Sequence, residues 1–495
     1  MSNEISRRGL IRAGMLGAVA AGAASVTHAA AAAEGAKTET YDVVVIGCGC
    51  AGMAAAIEAK NAGAKVCILD KMPRPSGNTI FSGGIINAAG TYVQKQEGVQ
   101  DSLEAFYKDM MAVSHDRGDP ELTKMYVEKS ADAVQWLTDE CGVKFRKLEK
   151  EAWPMLQRGH VVDGPLKPHG AQLSKQMLDR VKALGIPVFF NTKVIEITRN
   201  EVLHATGVKA VNEDDELVEI KARGGVIVCT GGFHNNKELI CRYMGGDVAW
   251  MPIRGSTCIT GENITLTQPF NPMYVNMDQF HGGPIHGPTR ANPSIMVNYG
   301  ILVKKDGTRF IDEVNTYVYI AKAMPKLIPS NWAFIIIDDQ VTGISTVKDR
   351  INRYERNHAP IYQGNTIAEL AKNAGIPEAT LVKVVKDYNA AIKAGKGSTL
   401  TPPNTLKGAR LLEKPPFRAF PFQGGMTATF GGPKITLKGE VLNTEGRPIP
   451  GLYAAGNAIG GLLYYDYIGG SQLCSAIIWG REAARNAAAR AKKAA

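Results

Sequence analysis

The apolar positions of this chain fall into two textures. Up to residue 275, short runs rich in β-branched residues alternate with longer stretches of helical period. Val43-Val44-Val45-Ile46 reads as a buried strand stopped at once by Gly47. Residues 53–62 follow as an alanine-rich helix, and residues 65–69 as a second buried strand ending in Asp70. Leu103, Phe106, Met110, Met125, Ala131, Val134 and Trp136 repeat at helical spacing across 102–137, with Asp119-Pro120 marking a fresh helix start. A helix is predicted at 171–185 and strands within 187–197, with 191–194 between them. Runs at 205–211, 218–222 and 225–229 form a meander returning to the first strands. Beyond residue 275, proline, aromatic residues and polar loops increase. Residues 300–313 predict a hairpin about Asp306-Gly307. Residues 366–370 and 379–394 predict amphipathic helices joined through Gly375-Ile376-Pro377, and 472–489 a C-terminal helix.

The turn after the first strand carries candidate chemistry. Gly47, Gly49 and Gly52 match G-x-G-x-x-G: the first permits a tight turn, the second lets backbone approach a pyrophosphate, and the third lets helix and strand pack closely. The free N–H groups opening the helix suit a phosphate. Asp70, 23 positions after Gly47, stands where a carboxylate accepts from ribose hydroxyls. The glycines alone would also suit a βαβ turn that binds nothing. Strand, helix, second strand and terminal acid together point to a dinucleotide.

Lys71 to Gly84 forms a second glycine- and hydroxyl-rich segment, including Gly77, Asn78, Thr79, Ser82, Gly83 and Gly84. Here the chain resembles the fumarate reductase/succinate dehydrogenase flavoprotein family, whose members carry a similar Gly-Asn-x-x-x-x-Ser/Ala-Gly-Gly run against the flavin. Val226-Ile-Val-Cys-Thr230-Gly231-Gly232-Phe233 and Gly451-Leu-Tyr-Ala-Ala-Gly456-Asn457, with Gly469-Gly470-Ser471 after it, match further on and in the family's order. The resemblance implies an α/β fold: a Rossmann-like, glutathione-reductase-like FAD-binding domain built from 37–275 and 411–495, with an inserted α+β capping domain at 276–410. It implies non-covalent FAD held by Gly47, Gly49, Cys50, Ala51, Gly52, Asp70, Lys71, Asn78, Thr79, Ser82, Gly83, Gly84, Val194, Thr230, Gly231, Gly232, Gly456, Asn457, Ser471 and Leu473. Val194 would lie on the adenine side, and the helix at 472–489 would point its positive end at the flavin pyrimidine.

Composition narrows the setting. The 495 residues suit two domains, and 45% apolar with 21% charged residues is ordinary for a globular protein. The net charge of +10 is not gathered into blocks, which argues against nucleic acid as a partner. Ser6-Arg7-Arg8-Gly9-Leu10-Ile11-Arg12 resembles a twin-arginine export signal, followed by an alanine-rich stretch to Ala33. Cleavage is expected between Ala29 and Ala33, with the protein exported to the periplasm or cell-envelope exterior. The eight cysteines include no C-x-x-C-H or C-x-x-C pair, so neither covalent haem nor a metal site is expected. Cys48-x-Cys50 could be a redox couple, but its place in the phosphate turn favours packing.

At the substrate end, the chain departs from the fumarate reductases it resembles, which hold a dicarboxylate with arginines and histidines. Thr316-Tyr317-Val318 stands for their Thr-Arg-Asp, Tyr467 for an arginine before Gly469-Gly470, and Thr427-Ala428 for a histidine pair; His281 persists. Without two guanidiniums at these positions, fumarate has no bidentate partners. Paired tyrosines instead resemble the ketosteroid dehydrogenases of the same superfamily, in which tyrosines polarise a carbonyl and move a proton while flavin N5 exchanges hydride. A phenol is protonated at neutral pH and can serve as general acid. Tyr317 is the expected proton donor, with Tyr467 or Tyr465 orienting the carbonyl and His281 touching substrate. His234, His286 and Arg290 are further candidates. The expected activity is reduction of an activated C=C bond in an enone or enoate, with electrons from a separate membrane or haem partner. The alternatives are desaturation of a ketosteroid-like substrate, a fumarate-type reductase, or a flavin carrier, which would have no need of a capping lid. The substrate is expected to be a small molecule, neutral or singly charged; oligomeric state is left open.

Overall fold

The computed structural model describes residues 38–149 and 155–494; the expected export signal lies outside them. Its first sheet has the strand order Glu440–Leu442, Pro448–Ala454, Leu217–Val228, Thr38–Ile46, Val66–Leu69, Val188–Phe189. The last five run parallel. Val43, Val44 and Val45 are wholly buried between the faces. Each such side chain contributes about 1.5–3 kcal/mol over an exposed one. The meander is antiparallel, as expected: Lys193–Arg199 pairs Ala205–Val211, which pairs Leu217–Val228. The two strands predicted at 218–222 and 225–229 are one continuous strand.

Register decides where a ligand can sit. Ile46 lies beside Leu69 on one side and Val228 on the other, and Val228 lies beside Ala454. Four strands therefore end level, and the glycine-containing turns that follow them gather outside the carboxyl edge of the sheet. That is the binding position of open α/β sheets. The helix Cys50–Asn61 leaves this edge, and the helix Ser471–Ala494 packs across it. A β-carbon at Gly480 would stand 2.5 Å from the Ala51 carbonyl oxygen, so glycine is what permits that crossing.

The second sheet is antiparallel, in the order Phe280–Ile285, Phe417–Thr429, Ala333–Ile337, Ile301–Lys304, with Tyr362–Gly364 also on the long central strand. That central strand lies beyond residue 411, so sheet pairing runs across the boundary expected at 410. The Asp306-Gly307 turn forms, but its return arm shrinks to a bridge between Val303 and Arg309. Ile301–Lys304 pairs with Ala333–Ile337 instead. The helices Tyr317–Leu327 and Ser345–Arg356 cover this sheet through Ile320, Met324, Val347 and Tyr354, all wholly buried. Helices Ile367–Ala374 and Glu378–Lys393 lie where helical period predicts them.

Candidate active site

A cavity of about 730 Å³ runs from the carboxyl edge of the parallel sheet to the second sheet and its helices. At its sheet end, Gly47 adopts φ +104°, and a β-carbon there would meet the Cys229 carbonyl oxygen at 2.6 Å. A β-carbon on Gly52 would stand 1.8 Å from the Gly47 carbonyl oxygen. Gly49 faces open space, with nothing nearer its β position than Thr79 Oγ1 at 3.8 Å. Two glycines thus close the turn, and the third leaves room for a bulky group. The Cys50 N–H donates to Thr79 Oγ1 at 3.1 Å. Asp70 accepts from the backbone N–H groups of Cys48 (2.7 Å) and Met72 (2.9 Å), while burial pushes its carboxyl upward. Lys71 is paired with Glu262 at 2.5 Å.

Further along, Asn78 is fixed across the cavity. It donates to the Thr427 carbonyl at 2.9 Å and accepts from Ser256 N–H at 2.7 Å. Thr79, Ser82, Gly83, Val194, Thr230, Gly231, Gly232, Gly456, Asn457 and Leu473 also line the wall, as do Cys50 and Ala51. Gly52, Gly84 and Ser471 lie behind it. Gly84 packs on His169, and Ser471 is fully buried against Met110. Cys48 and Cys50 are buried thiols pushed far up by burial. Thiols held protonated in this way are packing groups.

Tyr317, Tyr467 and His281 converge at the other end. Tyr317 is the first residue of its helix, capped by Thr316, whose hydroxyl accepts from Tyr319 N–H. A β-carbon on Gly282 would stand 2.8 Å from the Val318 carbonyl, so glycine there lets the helix lie close against His281's strand. Asp466 joins the two tyrosine segments: it accepts from Thr316 Oγ1 at 2.5 Å and from Tyr467 N–H at 2.7 Å. The His281 ring centre lies 4.4 Å from that of Tyr467 and 6.3 Å from that of Tyr317. Burial, reinforced by Arg254, holds His281 well below the usual imidazole range and therefore neutral. Burial and the neighbouring Tyr317 phenol hold Tyr467 protonated.

Tyr465 does not line this cavity. It has φ +60° and stacks between His115 (3.9 Å) and Tyr319 (5.4 Å), with Lys322 donating to its carbonyl at 2.6 Å. The two-residue offset turns it to the far side of the loop. His234 donates from Nε2 to the Ser256 carbonyl (2.8 Å) behind the wall, and His286 pairs with Thr289. Sequence reasoning missed Arg254, Arg350, Arg353 and Gln472, which also line the cavity; Arg290 joins them. Their segments carry no motif spacing, so only a helical reading of 345–356 with one basic face could have pointed at Arg350.

A glycine turn closed by its own backbone, a carboxylate at the second strand end and acid–base side chains across one cavity define an FAD-dependent oxidoreductase. The sequence model of the family described as FAD binding domain matches residues 42–473. The chain belongs to this FAD-binding flavoprotein family, which includes the fumarate reductases. It is similar to an NADH:fumarate oxidoreductase of Klebsiella pneumoniae (31% identity, covering 96% of this chain and 51% of that protein). A probable fumarate reductase of Shewanella frigidimarina is also 31% identical (91% and 75% covered). A vinyl phenol reductase of Lactiplantibacillus plantarum is 27% identical (92% and 97%). The chain thus spans about half the length of the first of these relatives. Among solved structures, the open conformation of a flavocytochrome c3 fumarate reductase superposes with TM-score 0.81 at 30% identity, covering 94% of this chain and 81% of that one. A 3-ketosteroid-Δ4-(5α)-dehydrogenase from Rhodococcus jostii gives 0.73 at 28% (91% and 97%).

Proposed function

We propose that this protein reduces an activated C=C bond, with Tyr317 as the proton donor and Tyr467 as the group that polarises the substrate carbonyl. The convergence of Tyr317, Tyr467 and neutral His281 on the cavity that holds the dinucleotide cradle carries this reading. FAD would be held without a covalent link by the glycine turn at Gly47 and Gly49, with Asp70 and Asn78 beside it, and when bound would supply hydride chemistry toward the β-carbon. Tyr317 delivers the proton that the α-carbon needs, and its phenolate regains one from solvent. Tyr467, kept protonated by burial, donates to the carbonyl oxygen as negative charge develops there. Asp466, which touches both tyrosine segments, positions the pair. At the Tyr317 and Tyr467 positions this end offers phenols and not guanidiniums, and the guanidiniums of the cavity are Arg254, Arg290, Arg350 and Arg353 instead.

The two electrons per turnover come, in this reading, from a separate membrane or haem donor, and the protein works outside the cytoplasm after twin-arginine export. The relatives include reductases of several unsaturated compounds, which supports reduction over desaturation. Anaerobic assays with reduced viologen against enones, enoates and saturated ketones test it. Oxidation of the dye by enones or enoates is expected. Turnover only of saturated ketones with an oxidising dye would establish the dehydrogenase, and no turnover at all would favour the carrier.

A further inference from the structure

Beyond Tyr317, the helix Tyr317–Leu327 carries a buried amine that the chemistry above leaves unused. Lys322 Nζ donates to the Tyr465 carbonyl at 2.6 Å and to Gln279 Oε1 at 3.2 Å, and among the described residues it pairs with no carboxylate. Burial pulls it down to about 8, although Asp466 and Asp278 act on it through space in the other direction. A charge kept in such a place without an ion pair costs stability. Its stem crosses Gly282, where a β-carbon would stand 2.8 Å from the Lys322 Cγ, so glycine opens that passage.

The amine grips strained backbone. Tyr465 has φ +60°, a conformation that bulky residues rarely adopt and keep only where their surroundings fix it. Both of its backbone polar groups are held: the N–H donates to Gln279 Oε1 at 3.1 Å, and the carbonyl accepts from Lys322. Gln279 is itself anchored, donating from Nε2 to Asp278 at 2.8 Å and accepting at its carbonyl from Phe430 N–H at 2.9 Å. The next residue, Asp466, accepts from Thr316 Oγ1 and from Tyr467 N–H. Thr316 and Lys322 therefore hold residues 465 and 466 from one helix, on either side of Tyr317, and Tyr467 follows directly. The grip is on the main chain, so the phenol of Tyr465 has no part in it.

We propose that Lys322 is a positioning residue: by holding Tyr465 in its left-handed conformation, it sets the Tyr467 phenol beside His281 and in register with Tyr317, so that the two phenols work as one unit. The chemistry of that unit rests on the reductase reading above; the clamp itself rests on the geometry of Lys322, Gln279 and Tyr465. A misplacement of about 1 Å in a reacting group costs roughly a hundredfold in rate, which gives a buried, unpaired charge its reason to be here.

Lys322→Met keeps most of the side chain's length and removes its donors. In the FAD-loaded protein it is expected to leave the melting temperature unchanged or raise it, because a buried charge is lost. Viologen-linked kcat on benzylideneacetone or cinnamate should fall at least about tenfold, with KM within about twofold. Because Lys322 acts through Tyr467, adding the same change to Tyr467→Phe should cost at most about twofold more. Gln279→Leu, which frees Tyr465 from its other side, should reproduce the loss and carries the test if Lys322→Met does not fold. A crystal structure of FAD-loaded Lys322→Met should show Tyr465 out of the left-handed region and the Tyr467 ring centre farther from His281 than 4.4 Å. An unmoved ring overturns the proposal, as does full turnover, or a loss that multiplies undiminished onto Tyr467→Phe. If the unaltered protein reduces no enone or enoate, the reductase reading falls, and the position of the ring by itself then keeps or removes the clamp.

Discussion

The two ends of the cavity are built by different means. The dinucleotide end is largely backbone: Gly47, Gly49 and the opening N–H groups of one helix shape it, and the turn, helix start and Asp70 are near neighbours in sequence, with Cys229 packed behind the turn. The substrate end is side chains, and Tyr317, Tyr467, His281, Arg254 and Arg350 come from five separate segments held by two sheets. A backbone site fails when a β-carbon intrudes. A side-chain site fails when one functional group is removed and the fold persists. That contrast predicts how each end responds to substitution.

The largest effect is expected at the dinucleotide end. Gly52→Val places a β-carbon 1.8 Å from the Gly47 carbonyl, so strand and helix must part. We expect loss of more than about 4 kcal/mol of stability and FAD-free protein, measured by denaturant unfolding and flavin absorbance. A yellow, stable Gly52→Val protein would break the comparison. At the substrate end, Tyr317→Phe should keep FAD and melting temperature yet cut turnover by roughly 10²–10⁴. Retained turnover in a viologen assay would remove Tyr317 from the chemistry.

Between the two ends, His234 holds the loop that carries Arg254 and Asn78's partner Ser256. Burial lowers its pKa from the ordinary 6.5 to about 4. Within that window the unfolded chain binds the extra proton, so this contribution is whole above the ordinary value and is lost as pH falls toward the folded one. Stability should drop by up to about 3 kcal/mol from this group on acidification. His234→Gln should flatten the pH dependence of the urea midpoint, and an unchanged slope would refute the assignment. The smallest effect is expected for Tyr465→Phe: turnover within about twofold of the unaltered enzyme, because the ring faces His115 and Tyr319 and not the cavity.

Much of the first sheet and its cradle was legible in the sequence, for a local reason. A buried strand, a glycine turn, an alanine helix and a terminal acid are neighbours in the chain, so their spacing is their geometry. The meander was legible too, apart from the break expected near residue 224, where Gly224 and Gly225 are accommodated in one continuous strand. The hairpin at 300–313 was half legible. Its Asp-Gly turn is a local property, whereas the choice of Ala333–Ile337 as strand partner depends on side chains far along the chain.

The amino-acid order by itself determined the glycine turn and the FAD family, and it raised the expectation that Tyr317 and Tyr467 stand where relatives carry arginine, because each is a matter of residue type at fixed spacing from glycines. Tertiary structure alone decided that Tyr465 turns away and that Arg254 and Arg350 return positive charge to the same cavity. The physical reason is range. Backbone turns are specified by neighbours in sequence, while the electrostatic surroundings of a buried group are set by whichever distant segments pack against it.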